Sequence, residues 1–226
     1  MAEVEGSKDL ISVLWSGADI LRSKMDANEY KDYLLGIVFY KYLSDTFLIK
    51  VYDLIYDEKP KSLKVALDAY KEALEDESAE ELKEQIKSEC HYLIEPQLTY
   101  TCFADAARNN AFNRELLQKA FNNIEQSDPL FADLFTDIDL YSNRLGNGDQ
   151  KQSDTISSLV KEIDKADLLN SDAEILGNAY EYLIGQFASE TGKKAGEFYT
   201  PQAVSKILTK IAIAGQENKK GLSVYD

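Results

Sequence analysis

Gly196-Glu197-Phe198-Tyr199-Thr200-Pro201-Gln202 gathers the residue types best suited to chemistry in this chain. A glycine lets backbone approach a ligand closely. Two aromatic rings follow it, then a hydroxyl and a proline of the kind that open a helix. An amphipathic run comes next. After it, Leu222-Ser223-Val224-Tyr225-Asp226 reads as a strand tipped by an acid. Loop, helix and acid-tipped strand, in that order, is how many nucleotide-type cofactor sites begin. Just upstream, Lys193 and Lys194 form a small basic point between Gly192 and Gly196. They either meet phosphate or belong to a solvated loop. Thr200 and Pro201 either face a ligand or simply start a helix, and the two roles are compatible.

Other chemistry is sparse. Cys90 and Cys102 are the only cysteines and lie too far apart for a CxxC motif. His91 is the only histidine, so no metal site is expected. No Ser/His/Asp set, Walker phosphate loop or zinc spacing occurs.

With 226 residues the chain can form one large domain, or one domain and part of another. Apolar residues make up 44%, enough for a core, and only 11 Gly and 4 Pro argue against an all-β fold. The net charge is -15 and the pI about 4.6. A free-standing DNA binder needs a basic footprint. Any DNA contact here must therefore be local or supplied by a partner, and the plain meaning of the acidity is solubility. The acidic N-terminus lacks the apolar stretch of a signal peptide. The longest apolar run, Leu34 to Tyr40, is too short to span a bilayer. A reduced, cytoplasmic setting without membrane attachment is expected.

Helical periodicity dominates the elements that must position these residues. Ser7 is expected to cap a helix carrying Ile11, Leu14, Trp15, Ala18 and Leu21. Asp26 and Glu29 form a capping-box pair for a helix running to about Tyr56. Leu63, Ala66, Leu67, Tyr70 and Leu74 form the next stripe, and Ser78 with Glu81 a second box. From Cys90 to Asp105 the pattern fails, which predicts a loop with a short extended piece. Helical spacing returns at Phe112, Leu116, Ala120, Phe121 and Ile124. Asp128-Pro129 reads as an N-cap followed by proline, and Gly146-Asn147-Gly148 as a turn. Ser153 opens a helix with Ile156, Leu159, Val160 and Ile163; Ser171 and Glu174 form a third box. Thr200 is expected to cap the last helix, with Val204, Ile207, Leu208 and Ile211 on one face and Gly215 at its end. The 14 Tyr and 9 Phe fall at helical spacing and are expected in the core. A base-stacking platform would need more flanking lysines than Lys31, Lys41 and Lys50.

Three stretches carry a family resemblance. Gly177-Asn178-Ala179-Tyr180-Glu181-Tyr182-Leu183-Ile184-Gly185-Gln186-Phe187-Ala188, running through Gly192 to Pro201, resembles the methylase subunit of type I restriction-modification systems. Leu14-Trp15, Ala18-Asp19, Leu21-Arg22, Met25-Asp26 and Glu29-Tyr30-Lys31 are similar to the family's opening helix pair. So is Phe39-Tyr40-Lys41-Tyr42-Leu43-Ser44-Asp45. Between about Asp57 and Asn170 the match thins.

The resemblance implies an all-α, bundle-like N-terminal domain over 1–170. Residues 171–226 would then be a helical connector and the first helix and strand of an incomplete α/β, Rossmann-like methyltransferase domain. It implies that Glu197, Phe198, Tyr199, Thr200, Pro201 and Gln202 lie against S-adenosylmethionine in the full-length subunit. Phe198 or Tyr199 would cover the adenine or the sulfonium, and Thr200 would hold the methionine carboxylate at a helix start. Asp226 matches the first acid of the family's glycine-rich motif, without the glycines that follow. The implied reaction is methylation of adenine N6 in DNA. The implied partners are a specificity subunit, a restriction subunit, a second methylase subunit and double-stranded DNA, which Lys193 and Lys194 could touch. The family grips its flipped base with an Asn- or Asp-Pro-Pro-aromatic motif. No Pro-Pro occurs here, and Asp128-Pro129-Leu130-Phe131 only echoes it ahead of the cofactor phrase. No catalytic residue is therefore assigned. A reading of different class is a stand-alone acidic helical interaction protein, a scaffold or DNA mimic without cofactor, supported by the charge of -15. The 226-residue chain is expected to transfer no methyl group by itself. Label appearing in DNA adenine after incubation with labelled S-adenosylmethionine would contradict this.

Overall fold

The computed structural model describes residues 2–167, Gly177, Glu181, Thr200 and 202–215. Among them every regular element is helical. The helices are α1 (Ala2–Arg22), α2 (Ala27–Tyr56), α3 (Leu63–Ala73), α4 (Ala79–Cys90), α5 (Tyr100–Arg108), α6 (Arg114–Glu125), α7 (Asp149–Ile163) and α8 (Gln202–Ile213). Single 3-10 turns lie at Pro96–Leu98 and Pro129–Phe131. No described helix is long and apolar enough to cross a membrane.

The 30-residue α2 is the axis of the fold. At about 1.5 Å per residue it is some 45 Å long, and α1, α3, α4, α5 and α7 all contact it. Its buried residues, from Leu43 and Tyr40 round through Leu34 to Val38, span an arc of roughly 220° at about 100° per residue. That is the mark of a helix enclosed by others. Its start is the predicted capping box, in which the Asp26 side chain accepts from the Glu29 backbone and Asp26 N–H donates to Glu29 Oε2 at 3.4 Å. It ends at Asp57, whose φ of 54° breaks the helix. Gly36 lets the later loop close on α2, because a methyl group there would collide with the Ile138 side chain. Trp15 is half-buried against the core, with the Arg22 guanidinium 5.4 Å from its ring centre.

Six of the ten described tyrosines are buried in the core, as their spacing predicts. Their hydroxyls make one recurring contact, donation to a backbone carbonyl far away in sequence. Tyr40 reaches Leu98 O at 2.7 Å, Tyr92 reaches Leu43 O at 3.0 Å and Tyr100 reaches Val160 O at 2.9 Å. Tyr70 reaches Ile94 O at 3.2 Å and Tyr33 reaches Asp139 O at 2.7 Å. Four of these five carbonyls lie outside α2, and three lie in irregular segments that offer no ladder of their own. The rings beneath fill the core: Tyr40 sits edge-on to Phe121 at 5.5 Å, and Phe121 stacks on Phe135 at 4.2 Å.

Several sequence expectations are corrected. The first helix begins at Ala2, so Ser7 lies inside it instead of capping it. Ser78 does precede α4 but forms no capping box; its N–H and hydroxyl both donate to Asp76 Oδ1, at 2.9 and 2.8 Å. The stretch Cys90 to Asp105 forms no strand, with extended backbone at Glu95 and Thr99. It forms the 3-10 turn Pro96–Leu98 and the start of α5, capped by Thr99, whose Oγ1 accepts from Cys102 N–H. A helix of only nine residues preceded by a proline turn shows too few repeats for periodicity to register. Asp128 caps a 3-10 turn in place of a full helix. Helix α7 begins at Asp149, four residues before Ser153, behind Gly148 at φ 88°. Ser171, Glu174 and the tail 222–226 lie outside the described residues.

Replacing Tyr40 by Phe keeps the ring and removes the hydroxyl that donates to the buried Leu98 carbonyl. Destabilisation by about 1–2 kcal/mol is expected, read as a lower urea midpoint at unchanged slope.

Candidate functional site

Thr200 is exposed on irregular backbone two residues before the first residue of α8. The first four N–H groups of a helix have no partner within it, so a hydroxyl at that place and those groups can face one ligand oxygen. Gln202 opens the helix. On α8 the stripe Val204, Ile207, Leu208 and Ile211 is exposed, and Gly215 follows its end at φ 78°. The remaining expected contacts, Glu197, Phe198, Tyr199 and Pro201, lie outside the described residues, as do Lys193, Lys194 and Asp226. No group of His, Cys, Asp and Glu among the described residues could hold a metal ion. His91 instead ends α4 in the left-handed conformation at φ 66°.

Sequence reasoning missed a buried polar cluster. Lys41, one of the lysines too few for a base-stacking platform, is 3% exposed. Its Nζ lies 2.6 Å from Asp45 Oδ2 one turn along α2 and 5.2 Å from the centre of the Tyr100 ring. Asp45 is 2% exposed and its Oδ1 has no hydrogen-bond partner. Ser44 accepts from Tyr100 N–H at 2.8 Å, joining α2 to the first turn of α5. Burial pushes the Asp45 carboxyl up to about 6, against the pull of Lys41 and helped by Asp164 and Asp167. Loss of hydration outweighs a good ion pair here, the common balance for interior charges. The available signal was the i, i+4 spacing of Lys41 and Asp45 inside a stretch otherwise apolar on every side.

Arg114 is a second interior cation. Its guanidinium bonds Gln152, donates to Asp149 Oδ1 at 3.0 Å and covers the Tyr141 ring at 4.2 Å. It ties the start of α6 to the start of α7 and holds the loop between them.

Against known proteins, residues 10–163 match the family model described as HsdM N-terminal domain, and 171–226 match N-6 DNA Methylase. The chain belongs to the HsdM N-terminal domain family. A crystal structure of the type I restriction-modification system methyltransferase subunit from Streptococcus thermophilus superposes with a TM-score of 0.87 at 50% identity. The match covers 96% of this chain and 46% of that one. The chain is 29% identical to the type I restriction enzyme MpnII methylase subunit of Mycoplasma pneumoniae, over 94% of its own length and 40% of the relative's. It is 26% identical to the MjaIX methylase subunit of Methanocaldococcus jannaschii, covering 94% and 36%. It thus spans less than half the length of the relatives it matches.

Because the folded value for Asp45 lies above its ordinary 3.8, the folded state favours the protonated acid. The associated stability is full at low pH and is lost as pH rises through about 6. Relative to Asp45→Asn, the native chain should gain about 1–2 kcal/mol between pH 7.5 and pH 5. Parallel urea titrations of both proteins at the two pH values read this difference.

Proposed function

We propose that this chain is the N-terminal part of a type I restriction-modification DNA adenine-N6 methyltransferase subunit. The observation that carries the reading is the ordered pair of family matches, 10–163 and then 171–226, with Thr200 and α8 inside the second. Residues 1–170 form the helical domain, and 171–226 a connector, the cofactor loop and the opening of the methyltransferase domain. The exposed apolar stripe of α8 is the face that such a domain's sheet would cover.

The subunit uses S-adenosylmethionine, which supplies the methyl group when bound. The described residues fit one end of it: Thr200 is exposed beside a helix start, where a carboxylate is favoured. Glu197, Phe198, Tyr199, Pro201 and Gln202 complete that side of the pocket, the rings by covering the adenine or the sulfonium. Lys193 and Lys194 meet DNA phosphate in the assembled enzyme. Assembly joins a specificity subunit, a restriction subunit, a second methylase subunit and double-stranded DNA. The acidity fits this division of labour, because reading the bases is left to another chain. A free acidic scaffold has no observation in its favour beyond the charge of -15.

In the full-length subunit, Thr200→Ala is expected to lower S-adenosylmethionine affinity about tenfold or more, the worth of a hydrogen bond to a charged group. Calorimetric titration beside a melting curve separates this from loss of a helix cap, about 1 kcal/mol of stability. Unchanged affinity in the Tyr199→Ala, Thr200→Ala double variant would leave these residues only a structural role.

A further inference from the structure

The loop between α6 and α7 carries a rigid apolar knob. Pro129–Phe131 is one tight turn in which Asp128 Oδ1 accepts from Leu130 N–H at 2.9 Å and Phe131 N–H donates to Asp128 O at 2.9 Å. Both flanks are pinned. The Phe131 ring meets the Tyr92 ring edge-on at 5.7 Å. Phe135 stacks on Phe121, and its N–H donates to Glu125 Oε1 at 2.7 Å. On this fixed frame Leu130 is 86% exposed, and Pro129, Ala132 and Leu134 are exposed beside it. A lone surface leucine means little. Four apolar residues held outward by a capped, proline-fixed turn form a pre-ordered anchor that loses little freedom on docking.

Charge says what would cover it. From Lys119 to Arg144 no basic residue intervenes, while Glu125, Asp128, Asp133, Asp137 and Asp139 do. Such a rim repels DNA phosphate, and repels the same surface on a second copy. It fits an apolar socket edged by lysine and arginine on another protein. In the assembly proposed above, the chain that reads DNA must carry such cations to meet phosphate. Resting on that reading, we propose that the turn 128–135 docks into a basic-rimmed apolar socket of the specificity subunit.

The test titrates the full-length subunit against its purified specificity subunit by sedimentation or calorimetry. Leu130→Asp with Leu134→Asp should raise the dissociation constant at least tenfold while the melting curve and S-adenosylmethionine affinity stay unchanged. Asp133→Lys with Asp137→Lys should also weaken binding and flatten its salt dependence. Native binding retained within twofold in the leucine double variant overturns the proposal and leaves the assembly reading intact. Loss of a self-associated form of the subunit, with binding to the specificity subunit unchanged, also overturns it, in favour of a second copy. A native subunit that does not bind the specificity subunit at all overturns both.

Discussion

A buried tyrosine hydroxyl must find an acceptor, and this fold turns that requirement into its cross-links. Its core is aromatic, and each tyrosine ring that reaches the centre brings an oxygen that cannot be left dry. Three of the five acceptors are carbonyls of segments outside the α-helices: Ile94 and Leu98 before α5, and Asp139 in the loop before α7. Tyr100 closes the same logic between helices by reaching Val160 near the end of α7. Apolar rings supply the cohesion, and the hydroxyls decide which backbone lies against which ring. Irregular stretches of an otherwise helical protein thereby acquire fixed places.

The same economy governs the interior charges. Lys41 and Asp45 are held within one turn of each other, so neither is stranded, yet burial still leaves the carboxylate short of hydration. Around them α2, α5 and the end of α7 converge. Asp164, where α7 ends, is also gripped by Arg108 from α5.

Much of this was legible in the sequence. Long helices with repeated three-four spacing declared themselves, and α2 came with both its capping box and its end near Tyr56. The glycine pair before α7 and the Asp-Pro start at 128 were read from chemistry that is strictly local. Features that depend on contacts distant in sequence were not legible. Nothing near Thr99 announces that Ser44 and Tyr40 will hold the segment 94–100 in place. Ser78 matched a capping pattern, and Asp76, two residues away, offered its serine a better acceptor. The burial of Lys41 depends on Asp45 one turn ahead and on the α5 and α7 elements packed over both. Of residues 196–202, the structure describes Thr200, on irregular backbone, and the start of α8 at Gln202.

Hydrogen exchange with mass-spectrometric readout tests the central claim most directly. If tyrosine hydroxyls fix the irregular segments to the core, amides in 94–99 and 135–140 exchange nearly as slowly as the centre of α2, since they open only with it. Exchange of those two segments at the rate of an unstructured peptide, with α2 still protected, would contradict the account.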